Sequence, residues 1–260
     1  VYAIAAQCAG ANLRVAPCNA DDHPMPRGHD LDAIAAAITD ATRLVYLANP
    51  NNPTGTWYAA DAFAGFMAKV PADVVVVVDE AYAEFVDAPE WASALTLQSR
   101  YPNLVVTRTF SKAYALAGLR VGYAIGHPGL IAVMERVRES FNVNSAGLAA
   151  AQAALGDDEH LRWVVARNAE QCDSLAESLR KRDLRVFPSQ TNFLLVQFVG
   201  FDAIGPGDEA RVTRIEAALC ERGIVLRPMG GYGLGHCLRI TVGNADENRR
   251  LLAGLDEVLG

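Results

Sequence analysis

Five consecutive valines, Val74 to Val78, run without alternation into Asp79-Glu80-Ala81-Tyr82. An unbroken β-branched run predicts a strand buried on both faces, as in a parallel sheet covered by helices. Similar short apolar runs flank it: Arg43–Ala48, Leu104–Thr107 and Val121–Ile125 all read as strands. Helical spacing fills the gaps, with Asp30 placed to cap a helix over Leu31–Ile38 and a second helix over Ala59–Lys69. Strands alternating with helices give an α/β layer. In such sheets ligands gather at the carboxyl ends of the strands.

The rest of the chain is read the same way. Tyr2–Ala9 is an expected helix ending at Gly10, and Leu13–Ala16 an expected short strand before a polar loop. Pro128–Ser140 and Ala146–Leu155 read as helices, and a long polar-faced helix over Asp158–Arg182 marks a change of character. Beyond it, strands at Leu184–Phe187, Phe193–Phe198, Ile224–Arg227 and Leu238–Val242 mix with helices at Glu209–Arg222 and Asp246–Leu259. The expected organisation is a larger α/β domain over residues 1–156 and a smaller α+β domain over 157–260.

Composition narrows the function. A hydrophobic fraction of 51% with 20% charged residues describes a folded globular chain. The net charge of −7 argues against a nucleic-acid or anionic-membrane partner, which would need a basic face. No apolar run is long enough to span a bilayer. Cys8, Cys18, Cys172, Cys220 and Cys237 follow no regular spacing and read as reduced thiols of a cytoplasmic protein. The histidines form no H-E-x-x-H, so no metal site is expected.

Chemistry concentrates where strands end. Asn49-Pro-Asn-Asn-Pro-Thr-Gly-Thr56 is too rich in turn residues for helix or inner strand, and is an ordered loop directly after a strand. Asp79 closes the valine strand, where an acid is costly unless paired. After Leu104–Thr107 come Thr109, Ser111 and Lys112, then Arg120 between Gly118 and Gly122. On its own, this stretch also reads as a plain Ser-Lys turn. The hhhhDE pattern at Asp79 also occurs in ATPases, but it would require a G-x-x-x-x-G-K-[ST] loop, and these 260 residues contain none. Gly230-Gly-Tyr-Gly-Leu-Gly235 is not followed by Lys-Ser/Thr and reads as a flexible or substrate-lining loop.

The loops together offer an amide, an acid, a phenol, an amine, two hydroxyls and a guanidinium. Pyridoxal phosphate uses all of them: an acid for its ring nitrogen, an amide and a phenol for its ring oxygen, a lysine for its aldehyde, and hydroxyls with an arginine for its phosphate.

The motifs N-x-N-N-P-T-G at Asn49–Gly55, D-E-A-Y at Asp79–Tyr82, T-F-S-K at Thr109–Lys112 and A-G-L-R-x-G at Ala117–Gly122 resemble those of class I/II (fold type I) aminotransferases. Val225-Leu-Arg-Pro228 and Leu238-Arg-Ile-Thr-Val-Gly243 add to the likeness, which runs nearly end to end and is strongest toward the histidinol-phosphate aminotransferase branch. The resemblance implies that Lys112 forms the imine with the cofactor and later shuttles the α-proton. Asp79 pairs with the ring nitrogen, and Asn52 and Tyr82 bond the ring oxygen. Thr109, Ser111 and Arg120 grip the phosphate, Arg239 binds the substrate anion, and Arg227 is its neighbour. Two readings need no ligand: Thr109 as a strand end and Arg227 as a surface arginine. Asn192 reads as loop structure. A solvated lysine is protonated at neutral pH and cannot attack a carbonyl, so burial and the cation Arg120 are expected to favour the neutral amine.

The implied activity is ping-pong transamination of histidinol phosphate with 2-oxoglutarate, giving imidazole-acetol phosphate and glutamate, in a homodimer acting on small phosphorylated and amino-acid substrates. An aromatic or other aminotransferase, or an amino-acid-phosphate decarboxylase, fits the same frame; a non-catalytic effector-binding domain of a regulator is the alternative outside enzymes. The front of the chain departs from the family pattern. The phosphate-binding helix start, the ring-stacking aromatic and the partner-reaching arm are not found before Val1, and the chain is expected to be a fragment lacking about a quarter of such an enzyme.

Overall fold

The computed structural model describes residues 2–198 and 208–260. The chain divides into two compact units, Val1–Asn51 with Thr56–Gly156, and Asn52–Gly55 with Asp157–Gly260.

In the first unit, β1 (Leu44–Ala48), β2 (Val75–Asp79), β3 (Leu104–Thr109) and β4 (Gly122–Gly126) form one sheet in that order. The β1–β2 and β2–β3 pairs are parallel and β3–β4 is antiparallel. Five helices accompany it: α1 (Tyr2–Cys8), α2 (Leu31–Ala36), α3 (Ala60–Met67), α4 (Pro128–Glu135) and α5 (Ser145–Leu155). Asp30 caps α2 as expected, its carboxylate accepting from the Ala33 N–H at 2.9 Å. Phe63, Phe66 and Met67 recur at three- and four-residue spacing on α3 and pack with Leu47, Val76 and Val106 in the core. Each such side chain contributes about 1.5–3 kcal/mol by leaving water.

The valine strand is not buried on both faces: Val74, Val76 and Val78 are buried, whereas Val75 and Val77 are only half-buried. The α2–α3 core reaches one face of the sheet, and the other face carries partly exposed residues such as Leu44 and Tyr46. Leu13–Ala16 is not a strand. Leu13 and Val15 are exposed, and the nearest pairing among the described residues is a single bridge between Cys18 and His29. Without a neighbouring ladder an apolar tetrapeptide has nothing to hold it as a strand.

The second unit is built on a second sheet, β5 (Arg185–Val186), β6 (Phe193–Gln197), β7 (Arg227–Pro228) and β8 (Cys237–Thr241), in the order β5-β6-β8-β7 with every pair antiparallel. Its helices are α6 (Asp158–Arg180), α7 (Asp208–Glu221) and α8 (Ala245–Leu259). Leu179, Val196, Leu219, Ile240 and Leu255 bring all three helices and the sheet into one core. Asn244 and Glu247 form a reciprocal capping box at the start of α8. Only the last residue of the strand expected over Ile224–Arg227 pairs, because Val225 is exposed and Ile224 instead packs against the helical core.

Candidate active site

Register sets the stage. Ala48 lies opposite Asp79 and Asp79 opposite Thr107, so β1 and β2 end at one level and β3 runs two residues further, to Thr109. The Asn49 loop, the Asp79 cluster and the segment leading to Lys112 therefore leave the sheet along the same edge, its carboxyl edge. Asn49 is buried and locks its loop. Its side chain accepts from the Tyr58 N–H at 3.1 Å and donates to the Tyr58 carbonyl at 3.2 Å, and its own N–H reaches the Asp79 carbonyl at 3.0 Å.

Asp79 is held from two sides. Oδ1 accepts the Ala81 N–H at 3.1 Å, and Oδ2 accepts the Tyr2 hydroxyl at 2.7 Å. A carboxylate has about four acceptor positions, so both donors leave room for a further cationic N–H. Tyr82 follows in a buried short turn, and the Lys112 Nζ lies 5.3 Å from the centre of its ring. Burial, then the adjacent Asp79 charge, pushes the Tyr2 hydroxyl far above the ordinary phenol value, so it stays a donor.

The loop bearing Lys112 is stitched by its own backbone. The Phe110 N–H bonds the Val121 carbonyl, Leu116 bonds Phe110, and Ala115 bonds Lys112. Thr109 Oγ1 accepts the Ser111 N–H at 3.1 Å and donates to the Val121 carbonyl at 3.4 Å, so this hydroxyl serves the turn itself. Arg120 adopts a left-handed backbone (φ 58°). Its side chain is exposed, with Nη1 donating to the Ala117 carbonyl at 2.7 Å.

Beneath this edge lies a network the sequence reading passed over. Glu80 is 1% exposed and accepts from Arg108 Nε at 2.9 Å, Ser93 Oγ at 2.8 Å and the Ala94 N–H at 2.6 Å. Arg108 spreads its fork further, to Glu84 at 3.0 Å. Burial pushes the Glu84 carboxyl up, against the pull of Arg108. The register carried the signal: with Asp79 opposite Thr107, the next residues along are Glu80 and Arg108.

In the second unit, Asn52 and Arg239 meet: Nη1 donates to Oδ1 at 2.5 Å. The Arg239 guanidinium also sits 4.8 Å from the Phe193 ring centre. Its Nε is buried without a hydrogen-bond partner among the described residues. Arg227 pairs with Arg239 in register, but its side chain is exposed. Gly55 has φ +79°, and a Cβ there would run into the Ser189 side chain. The sites brought together are thus Asp79, Tyr82 and Lys112 in one unit and Asn52 with Arg239 in the other. Tyr2, Asn49, Glu80 and Arg108 are additions. Among the described residues no group of three or more His, Cys, Asp or Glu is placed to hold a metal, and no helix is long and apolar enough to cross a membrane.

Residues 2–255 match the family described as aminotransferase class I and II. The chain belongs to this family. Its α/β first unit, with a mostly parallel sheet, and its antiparallel second sheet are those of fold type I, as expected from the motifs. Among curated aminotransferases, it is 49% identical over all 260 residues to histidinol-phosphate aminotransferase 2 of Ralstonia nicotianae and 45% identical over 259 residues to that of Pseudomonas aeruginosa. The chain spans 66% of the length of each. The crystal structure of histidinol-phosphate aminotransferase from Sinorhizobium meliloti in complex with pyridoxal-5'-phosphate shares 33% identity. It superposes with a TM-score of 0.88 over 99% of this chain and 67% of the other.

Proposed function

We propose that the protein is a pyridoxal-phosphate-dependent transaminase, converting histidinol phosphate and 2-oxoglutarate to imidazole-acetol phosphate and glutamate. The observation that carries the reading is the carboxyl edge of the first sheet. It gathers a carboxylate held by two donors, Asp79, and an amine against a buried phenol, Lys112 against Tyr82. This donor set fits the cofactor's cationic ring nitrogen, ring oxygen and aldehyde. The identities to relatives named histidinol-phosphate aminotransferase support the substrate.

When bound, pyridoxal phosphate supplies an electron sink for a bond broken at the substrate's α-carbon. Asp79 holds the proton on the ring nitrogen, which keeps that sink effective. Tyr82 and Asn52 donate to the ring oxygen. Lys112 would supply the amine for the cofactor's aldehyde and would serve as the base that takes and returns the α-proton. Ser111 and Arg120, with Thr109 in the same turn, bind the phosphate. Arg239 offers its buried, unpaired Nε to the substrate's anionic group, and Arg227 adds positive charge. We further propose a cytoplasmic homodimer, as the family resemblance implies.

The test compares turnover of histidinol phosphate with that of phenylalanine, using the protein expressed from its own gene. Preference for histidinol phosphate is expected, and faster turnover of phenylalanine would sink the substrate assignment. Lys112→Ala should abolish the visible band of the bound cofactor; an unchanged band removes Lys112 from its role.

A further inference from the structure

Tyr2 begins α1, and nothing in its local sequence marks it as functional. Its ring stacks flat on Tyr46 of β1, with centroids 4.8 Å apart and planes within 4°. Along β1 and β2, Tyr46 is opposite Val77 and Ala48 opposite Asp79. Side chains two apart share a face, so a ring lying over Tyr46 extends along the same face toward Asp79. The hydroxyl ends there, 2.7 Å from Oδ2.

We propose that Tyr2 is a positioning residue for Asp79: through this hydrogen bond it fixes the rotamer of the carboxylate that holds the cofactor's ring nitrogen and takes up part of its charge. The proposal rests on the pyridoxal phosphate reading above. The Ala81 N–H already fixes Oδ1, so Tyr2 supplies the second point that a planar carboxylate needs to stop rotating. A phenol suits the task. It is one-sided, since its proton is held by Asp79, and the remaining neighbours acting on its ionisation are the phenols Tyr46 and Tyr82. Its donation also draws electron density from the carboxylate. The carboxylate then pulls less strongly on the proton of the ring N–H, leaving more positive charge on the ring.

Tyr2→Phe keeps the stacking on Tyr46 and removes the hydroxyl alone. Two readouts apply to the protein expressed from its own gene: the dissociation constant of pyridoxal phosphate, and the pH midpoint of the bound cofactor's visible band. Tyr2→Phe is expected to weaken binding about ten-fold, the order of one hydrogen bond to a charged group. The midpoint should move upward, because a ring with less positive charge holds the neighbouring proton more tightly. In an Asp79→Asn background both effects should disappear, as a double-mutant cycle requires of a residue acting through Asp79. Tyr2→Phe binding and titrating like the parent overturns the proposal, as does an undiminished effect in the Asp79→Asn background. Should Asp79→Asn fail to retain cofactor, the midpoint in Tyr2→Phe alone decides. A parent protein without a visible band would instead overturn the cofactor reading itself.

Discussion

Arg239 and Asn52, 187 residues apart in sequence, are joined by a hydrogen bond from guanidinium to amide. The bond occupies Nη1 and orients the rest of the fork, whose Nε remains a buried donor with no partner among the described residues. A buried N–H costs about 1–3 kcal/mol when unsatisfied, so an incoming anion gains by supplying the acceptor.

Asn52→Asp turns this neutral acceptor into a carboxylate beside the same guanidinium. An internal anion then competes with the substrate's. The expected result is a rise of about ten-fold or more in KM for the anionic substrate, with no loss of melting temperature. A lower KM would show that Arg239 does not bind the substrate anion.

Arg108 is the only cation recorded against the Glu80 and Glu84 carboxylates in the described residues. Arg108→Leu leaves two carboxylates buried without a counter-charge, a change that costs about 3–5 kcal/mol. Glu84→Gln should be far milder, because the amide oxygen still accepts from the arginine. Urea denaturation checks the order. Equal midpoints for the two variants would mean that the network contributes little to stability.

His29 accepts the Ala48 N–H through Nε2, and burial pulls its pKa down from the usual 6.5 to about 4. The unfolded chain therefore takes up a proton below pH 6.5 while the folded chain does not until about pH 4. Stability present above pH 6.5 is lost as pH falls through that window, on the order of 3 kcal/mol by linkage. His29→Gln keeps an acceptor but does not titrate, so its melting temperature should fall less steeply between pH 6.5 and 4. Parallel curves for parent and variant would exclude His29 as a source of the acid sensitivity.

Much of the first unit is written locally. The valine run, the Asn/Pro loop and the Ser-Lys turn each carry their own pattern, the first as a strand and the other two directly after strands. Asp30 as a cap is equally plain, because capping needs only a side chain three residues from its target. Pairings across the sheet are another matter. Leu13–Ala16 has a strand-like composition but no ladder beside it, and composition cannot supply one. The half-exposed Val75 and Val77 show the same limit: a valine run fixes a strand but not what covers each face. Glu80 with Arg108 becomes legible only once parallel register is known. Tyr2 with Asp79 spans 77 residues through a stacked ring, and no short window holds both.

The antiparallel placing of β4 bears on the lysine. Because β3 and β4 are neighbours, the segment between Thr109 and Gly122 is a closed hairpin, shut at its base by the Phe110–Val121 bond. The parallel pairs β1–β2 and β2–β3 instead require crossovers of some two dozen residues or more. Lys112 is therefore delivered by the shortest-range piece of the sheet, whose ends meet at little cost in chain entropy. Its address is written within about twenty contiguous residues, whereas Asp79 reaches the same edge only after strands far apart in the chain have found each other.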